Sequence, residues 1–167
     1  TAPGITVLFA GYLRDLPPTS AGEADFVLSR YRAGDWTWLG DANGIFAFAI
    51  VDAERNRCVL GVDRLGIRPL LYTQTPRGIA FSSDLAVLTR WHDRFPGVDY
   101  DAVQELVTVG FPLGDRTLVR GVEHVPPGAW VEFGPTGSRV TRYWSVESLP
   151  APRPQSTETF LDEGRER

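Results

Sequence analysis

A short apolar run that ends in an acid constrains the fold of this chain more than any other feature. The run extends from Gly44 to Val51 and is closed by Asp52. It is too short to cross a bilayer, which needs about 20 apolar residues. Its continuous hydrophobicity is typical of a strand buried on both faces. We therefore expect a central strand at 45–52, paired as a hairpin with a second strand at 57–62.

A tight, charged corner follows this hairpin. It contains Asp63 and Arg64, then Gly66 and Pro69, and it leads into a second apolar run. Such a corner holds its charges in a fixed place. We expect Asp63 and Arg64 to form a structural ion pair instead of a catalytic pair. Gly66 and Pro69 are expected to shape the backbone.

Hairpins and short helices are predicted for the rest of the chain. Apolar periodicity and turn residues predict a strand at 5–13, hairpins at 70–74/78–82 and 129–133/138–144, and helices at 23–32, 84–90 and 100–109. Ser82 and Ser83 are expected to cap the helix at 84–90. At 167 residues and 43% hydrophobic content, the chain can bury one core.

Composition excludes several classes of partner. The net charge is −4 and the arginines are scattered, which does not indicate a nucleic-acid surface. We find no signal peptide and no run long enough for a membrane span. Cys58 is the single cysteine, so the chain has no internal disulfide and is expected to be cytoplasmic. His92 and His124 are isolated in sequence, which argues against a metal site.

The two ends of the chain indicate a piece of something longer. The sequence contains no methionine, so Thr1 is not an encoded start. Prolines at 150, 152 and 154 are typical of a linker, and the charged stretch 158–167 predicts the start of a helix. We expect one domain at 1–148, and at 149–167 a linker and a helix that lead to a further domain.

Several motifs occur in a specific order between Val7 and Trp144. Besides the run at 43–52 and the corner at 63–72, they are Phe9-Ala10-Gly11-Tyr12, Gly22-Glu23-Ala24-Asp25, Phe81-Ser82-Ser83-Asp84-Leu85, Gly121-Val122-Glu123-His124-Val125-Pro126-Pro127-Gly128 and Arg142-Tyr143-Trp144. Each motif alone is weak, but the ordered set is specific. The chain resembles the glutaminase (class II glutamine amidotransferase) domain of the asparagine synthetase family.

This resemblance implies an α+β fold of the N-terminal-nucleophile (Ntn) hydrolase type. That fold is an αββα sandwich of antiparallel sheets, and the match implies that this chain holds it in a form truncated at the N-terminus. The resemblance also implies a structural signature that consists of Asp63, Arg64, Gly66, Pro69, Pro126, Pro127 and Gly128.

Active members of the family use an N-terminal cysteine whose own amine serves as the base. That nucleophile is absent here. Cys58 lies in the middle of a predicted strand, where a small core residue is the expected role. Thr1 is followed by Ala-Pro-Gly, and the match places this segment well inside the domain, so we do not expect it to act as a nucleophile.

The resemblance identifies four positions of the glutamine pocket, and three of them have changed. Ala10 replaces the asparagine of the oxyanion hole, Tyr12 replaces a substrate-binding glutamate, and Glu23 replaces a substrate-binding aspartate; only Gly11 is unchanged. Loss of one oxyanion donor costs about 3 kcal/mol of transition-state stabilisation. We therefore expect no catalytic residues and no glutaminase activity.

The resemblance implies a parent enzyme that forms amide bonds at the expense of ATP. The favoured hypothesis is a non-catalytic glutaminase-like domain, similar to that of β-lactam synthetases and lasso peptide cyclases. Its partner would be a C-terminal synthetase domain that binds ATP and Mg²⁺, with a homodimer as a further possibility. Two alternatives stay open: a fragment of a glutamine-hydrolysing asparagine synthetase, and a stand-alone scaffold or binding module.

Overall fold

The computed structural model describes residues 4–18, 20–92 and 94–149. Thr1 lies outside the described residues, as do residues 150–167 of the linker and helix predicted at 149–167. The strands are β1 (Ile5–Leu13), β2 (Gly44–Asp52), β3 (Arg57–Val62), β4 (Leu71–Thr75), β5 (Gly78–Ser82), β6 (Val122–His124), β7 (Ala129–Gly134) and β8 (Gly137–Arg142). The helices are α1 (Glu23–Ala33), α2 (Trp38–Asp41), α3 (Leu85–Trp91) and α4 (Tyr100–Val109), and a 3₁₀ turn spans Val146–Ser148.

The strands form two antiparallel sheets. The larger sheet has five strands in the order β1-β2-β3-β7-β8, and the smaller has three in the order β5-β4-β6. The predicted hairpins therefore exist. The last one ends at Arg142 instead of Trp144, because the backbone N–H groups of Tyr143 and Trp144 both donate to the carbonyl of Gly128.

Three apolar clusters stack these elements into four layers. In the first cluster α1 packs on the outer face of the larger sheet. The second lies between the two sheets, and the third joins the smaller sheet to α3. The order is helix, sheet, sheet, helix, so the predicted αββα sandwich is confirmed.

Strand β2 explains why the larger sheet is covered on both faces. Phe46, Phe48 and Ile50 belong to the cluster beneath α1. Ala47 and Ala49 alternate with them and belong to the cluster between the sheets. Successive side chains of a strand point to opposite faces, so this one segment contributes to two cores, as the continuous apolar run predicts.

Capping residues set the helix boundaries. Asp84 and Asp99 are the N-cap residues of α3 and α4, and their side chains accept backbone N–H bonds from the first turn. Helix α3 therefore begins at Leu85, one residue later than predicted. The predicted capping role of Ser82 and Ser83 is wrong, because the N-cap is Asp84; the Ser82 hydroxyl accepts the N–H of Asp84 (3.0 Å).

Candidate functional site

The corner after β3 is organised around the carboxylate of Asp63. This side chain is buried, with 2% of the residue exposed. One oxygen accepts the backbone N–H of Leu65 (3.0 Å) and Ile67 (3.2 Å). The other accepts the N–H of Phe46 (3.2 Å) and Arg68 (3.3 Å). Backbone donors thus satisfy the buried charge, which fixes the path of the corner relative to β2.

Arg64 points to a different partner. Its Nη2 donates to the carbonyl of Gly40 in α2, at 2.6 Å. The predicted ion pair between Asp63 and Arg64 is therefore wrong. The Asp63 carboxylate accepts N–H groups from its own loop and from β2. The Arg64 guanidinium donates instead to a carbonyl near the C-terminus of α2, as basic side chains near a helix C-terminus do.

The Pro126-Pro127-Gly128 turn packs directly onto this corner. The N–H of Gly128 donates to the carbonyl of Asp63 (3.0 Å), and the added Cβ of any other residue at Gly128 would lie 2.4 Å from the carbonyl oxygen of Trp144. A Cβ on Gly66 would meet the ring of Pro127 at 3.1 Å. Of the predicted signature residues, Asp63, Arg64, Gly66, Pro127 and Gly128 therefore lie against one another.

The closing motif completes the cluster. The Tyr143 hydroxyl donates to the carbonyl of Val62 (2.7 Å), and Arg142 donates to the carbonyl of Pro127 (3.0 Å). Burial, together with the nearby Asp63 carboxylate, raises the pKa of Tyr143. The phenol therefore keeps its proton at neutral pH and remains a donor to the backbone.

The four glutamine-pocket positions do not face one pocket. Gly11 and Glu23 line a groove of about 450 Å³ between β1 and the start of α1. Ala10 instead lines a cavity of about 520 Å³ on the other face of β1. Tyr12, two residues further along β1, lies on the same face as Ala10 and is 49% exposed.

Gly11 is held by the backbone of the sheet. Its φ is +118°, and a Cβ at this position would lie 2.0 Å from the carbonyl oxygen of Ile45 on β2. Neither strain nor clash can be relieved without separating β1 from β2. The pairing of these strands therefore explains the glycine on its own, without any role in an oxyanion hole.

The cavity at Ala10 is mostly apolar. Its polar side chains belong to Arg68, Ser82 and Ser83, which the sequence did not single out as site residues. The remaining lining residues are Leu8, Phe9, Ala10, Ala47, Phe48, Ala49, Pro69, Leu70 and Phe81. The methyl group of Ala10 cannot donate a hydrogen bond into this space. Alternation along β1 and β2 is the signal that would have located this cavity in advance.

Cys58 has the properties of a core residue. It lies on β3 and packs partly buried against the cluster between the sheets. Burial raises the pKa of its thiol to about 11. The thiolate fraction at neutral pH is then only about 10⁻⁴, which leaves the side chain a poor nucleophile. The expectation that Cys58 is structural is consistent with both facts.

Neither His92 nor His124 lines the groove at Gly11 or the cavity at Ala10. Nε2 of His92 is 3.0 Å from the Thr73 hydroxyl, and burial lowers the pKa of His124. Across residues 4–18, 20–92 and 94–149, no group of three or more His, Cys, Asp or Glu side chains could hold a metal ion. Among the helices of those same residues, none has the length and hydrophobicity to cross a membrane.

Comparison with known proteins agrees with the motif order. Asparagine synthetase [glutamine-hydrolyzing] 3 of Bacillus subtilis is 33% identical over 107 residues, which cover 64% of this chain and 17% of that protein. Amidase chyE of Penicillium rubens is 24% identical over 75% of this chain and 18% of its own length. The chain thus spans less than a fifth of these curated relatives.

The solved structure of glutamine phosphoribosylpyrophosphate amidotransferase from B. subtilis shares the fold. It matches with a TM-score of 0.50 at 15% identity, over 84% of this chain and 29% of that one. The family model for the glutamine amidotransferase domain matches residues 14–144. With its sandwich of antiparallel sheets, this chain therefore belongs to the glutamine amidotransferase domain family, as a class II, Ntn-type domain related to the asparagine synthetases.

Proposed function

We propose that this chain is a glutaminase-like domain that does not hydrolyse glutamine. The observation that carries the proposal is the methyl group of Ala10, which lies in the cavity at the position where the family resemblance implies an oxyanion donor. The separation of Ala10 from Gly11 and Glu23 on opposite faces of β1 supports it. The raised pKa of Cys58, the single cysteine, supports it further.

We further propose that the parent protein is an ATP-dependent, amide-forming enzyme of the asparagine synthetase type. The name of the Bacillus subtilis relative, an asparagine synthetase, and its much greater length support this proposal. ATP and Mg²⁺ would bind in a second domain, since the described residues of this chain offer no ligand cluster for a metal ion. A free-ammonia source is unnecessary if the amine is part of the substrate, as in enzymes of the β-lactam synthetase or lasso peptide cyclase type.

The role of this domain would then be architectural. The buried Asp63 carboxylate, the proline turn and the closing Tyr143 form a rigid cluster that needs no substrate. Such a scaffold can cover a neighbouring synthetase domain and help to shape its substrate site.

An ammonia-release assay tests the proposal on the full-length protein encoded by the gene. We expect glutamine turnover at the buffer background, and the same for a Cys58→Ala variant. Turnover above background that the Cys58→Ala change abolishes would refute the proposal, because it would make the buried thiol the nucleophile.

A glutamine-hydrolysing asparagine synthetase is the second candidate, and the similarity to asparagine synthetase [glutamine-hydrolyzing] 3 of Bacillus subtilis favours it. It requires glutamine turnover that survives Cys58→Ala and depends on a cysteine encoded upstream of Thr1. A stand-alone module would be indicated by a gene that encodes no Ser-Gly-Gly-x-Asp-Ser ATP loop downstream.

A further inference from the structure

The cavity at Ala10 has an apolar interior that is built from cross-strand pairs of mostly small residues. Ala10 on β1 is paired with Ala47 on β2, and Leu8 is paired with Ala49 in the same ladder. Residues paired in this way share one face of a sheet, and here it is the face turned toward the smaller sheet. Three of these four side chains are single methyl groups. They leave about 520 Å³ open between the two sheets.

The polar side chains that line the cavity lie together at one end of it. Leu71, the first residue of β4, is paired with Ser82, the last residue of β5. The antiparallel register therefore brings Arg68, which precedes β4, to the same end as Ser82 and Ser83. We call this end, formed by Arg68, Ser82 and Ser83, the mouth of the cavity. Arg68 and Ser83 are exposed and Ser82 is half-buried, whereas the alanines contributed by β2 are buried.

The guanidinium of Arg68 is without a protein partner in the part of the chain that the structure describes. None of the ion pairs there involves it. The acids nearest to the mouth in sequence are Asp63, which accepts the backbone N–H of Arg68 (3.3 Å), and Asp84, which caps α3. The Ser82 hydroxyl accepts the N–H of Asp84, so its own proton is free to donate. The mouth thus offers one positive charge and a hydroxyl donor to a ligand.

This combination of groups is suited to a carboxylate with an apolar body. The planar guanidinium of an arginine pairs with both oxygens of a carboxylate, and one positive charge matches one negative charge. A carboxylate at the exposed mouth keeps part of its hydration and avoids the large cost of burying an ion. Beyond the mouth, the lining side chains are all apolar. The volume is within the range of small-molecule sites, about 300–1,000 Å³.

We propose that the cavity at Ala10 binds an aliphatic monocarboxylate of medium length. Its carboxylate pairs with Arg68 and accepts the Ser82 hydroxyl, and its hydrocarbon body lies against Ala10, Ala47 and Ala49. The inference goes beyond the proposed function but rests on it in one respect, because an active glutaminase would be expected to take glutamine at Ala10. The apolar interior has no partner for the side-chain amide of glutamine.

Equilibrium dialysis of the full-length encoded protein tests this proposal, with radiolabelled octanoate as the probe. We expect saturable binding at one site. Competition by hexanoate and then butanoate should weaken about fourfold for each methylene removed. Octan-1-ol has the same body without the charge, and glutamine has a carboxylate without an apolar body. Each should compete at least tenfold more weakly than unlabelled octanoate.

Three variants locate the site. Arg68→Gln should weaken octanoate binding at least tenfold, because the charge-assisted bonds are lost. Arg139→Gln is the matched control, since it removes the same charge from an exposed position of β8 that does not line the cavity. Ala10→Phe, at an exposed position of β1, should abolish binding by filling the cavity. Urea midpoints show whether each variant is folded, and Arg68→Gln decides the test if Ala10→Phe is not.

Several outcomes would overturn the proposal. They are no saturable binding at millimolar octanoate, equal competition by octan-1-ol, equal weakening in Arg68→Gln and Arg139→Gln, and unchanged binding in a folded Ala10→Phe variant. Tighter binding of glutamine than of octanoate would also overturn it, and would make the cavity a glutamine site. Dialysis does not depend on glutamine turnover. A failure to bind octanoate would leave the proposed lack of glutaminase activity intact, and ammonia release from glutamine would not alter the octanoate result.

Discussion

At the scale of single residues, Asp63 shows how a buried charge can serve the fold alone. Its two oxygens accept four backbone N–H groups, three from residues of the corner and one from β2. Charge-assisted bonds of this kind are stronger than neutral ones. The residue needs no cationic partner, and Arg64 is left to bind α2.

We predict that Asp63→Asn destabilises the protein by about 3 kcal/mol, because the amide keeps one acceptor and turns a donor toward two N–H groups. The free energy of unfolding from urea titration measures this loss. Asp99→Asn is the matched control, since a single oxygen of Asp99 accepts both of its N–H bonds and an asparagine can keep them. Equal losses in the two variants would contradict the explanation.

A second buried acid, Asp52, makes stability depend on pH. Burial raises the pKa of this carboxyl, but bonds from the Tyr31 hydroxyl and from Arg55 outweigh burial, so the net pKa lies below its ordinary value. A group whose pKa is depressed by folding contributes stability above its unfolded pKa of about 3.9. That contribution is lost as the pH falls through the folded value.

Tyr31→Phe should therefore lower the free energy of unfolding by about 1 kcal/mol at neutral pH. The difference between the variant and the parent should shrink as the pH falls below about 4, because the unfolded chain then protonates Asp52 while the folded parent, with its lower pKa, binds that proton only at lower pH. Urea titrations at pH 7 and at acidic pH measure it. A difference that stays constant with pH would show that lost packing, and not the bond to Asp52, dominates.

At the scale of elements, the pairing of β1 with β2 explains the residue that looked most like a catalytic remnant. Gly11 pairs with Phe46, and the carbonyl of Ile45 fills the space that a side chain would need. The same pairing turns Ala10 toward the cavity and Gly11 toward α1. Strand geometry, more than chemistry, thus sets what each of these positions can contact.

Gly11→Ala should cost at least about 3 kcal/mol, which combines about 1 kcal/mol for the unfavourable φ with the larger cost of the clash. Gly137→Ala is the control because its φ of +120° is nearly the same and no atom lies within 4 Å of its added Cβ. We expect the control to lose about 1 kcal/mol. Similar losses, measured by chemical denaturation, would show that the clash is relieved by movement of the strands.

At the scale of the whole molecule, two sheets and their covering helices form four layers. The three apolar clusters lie between these layers. The layers bring together motifs that are far apart in sequence, as when Tyr143 bonds to Val62 and Gly128 bonds to Asp63. The internal cluster explains what the family motifs preserve.

The sequence by itself determined the strand at 5–13, the three hairpins and the family, because periodicity, turn residues and motif order are local properties of the chain. Tertiary structure alone decided which atoms the side chains reach. It directed the Arg64 guanidinium to the carbonyl of Gly40 instead of to Asp63, and it placed Ser82 and Ser83 beside Ala10 and the start of α1 beside Gly11. Gly40 lies 24 residues before Arg64, and Ser82 and Ser83 of the cavity at Ala10 come from a distant hairpin, so only the folded sheets bring these groups together.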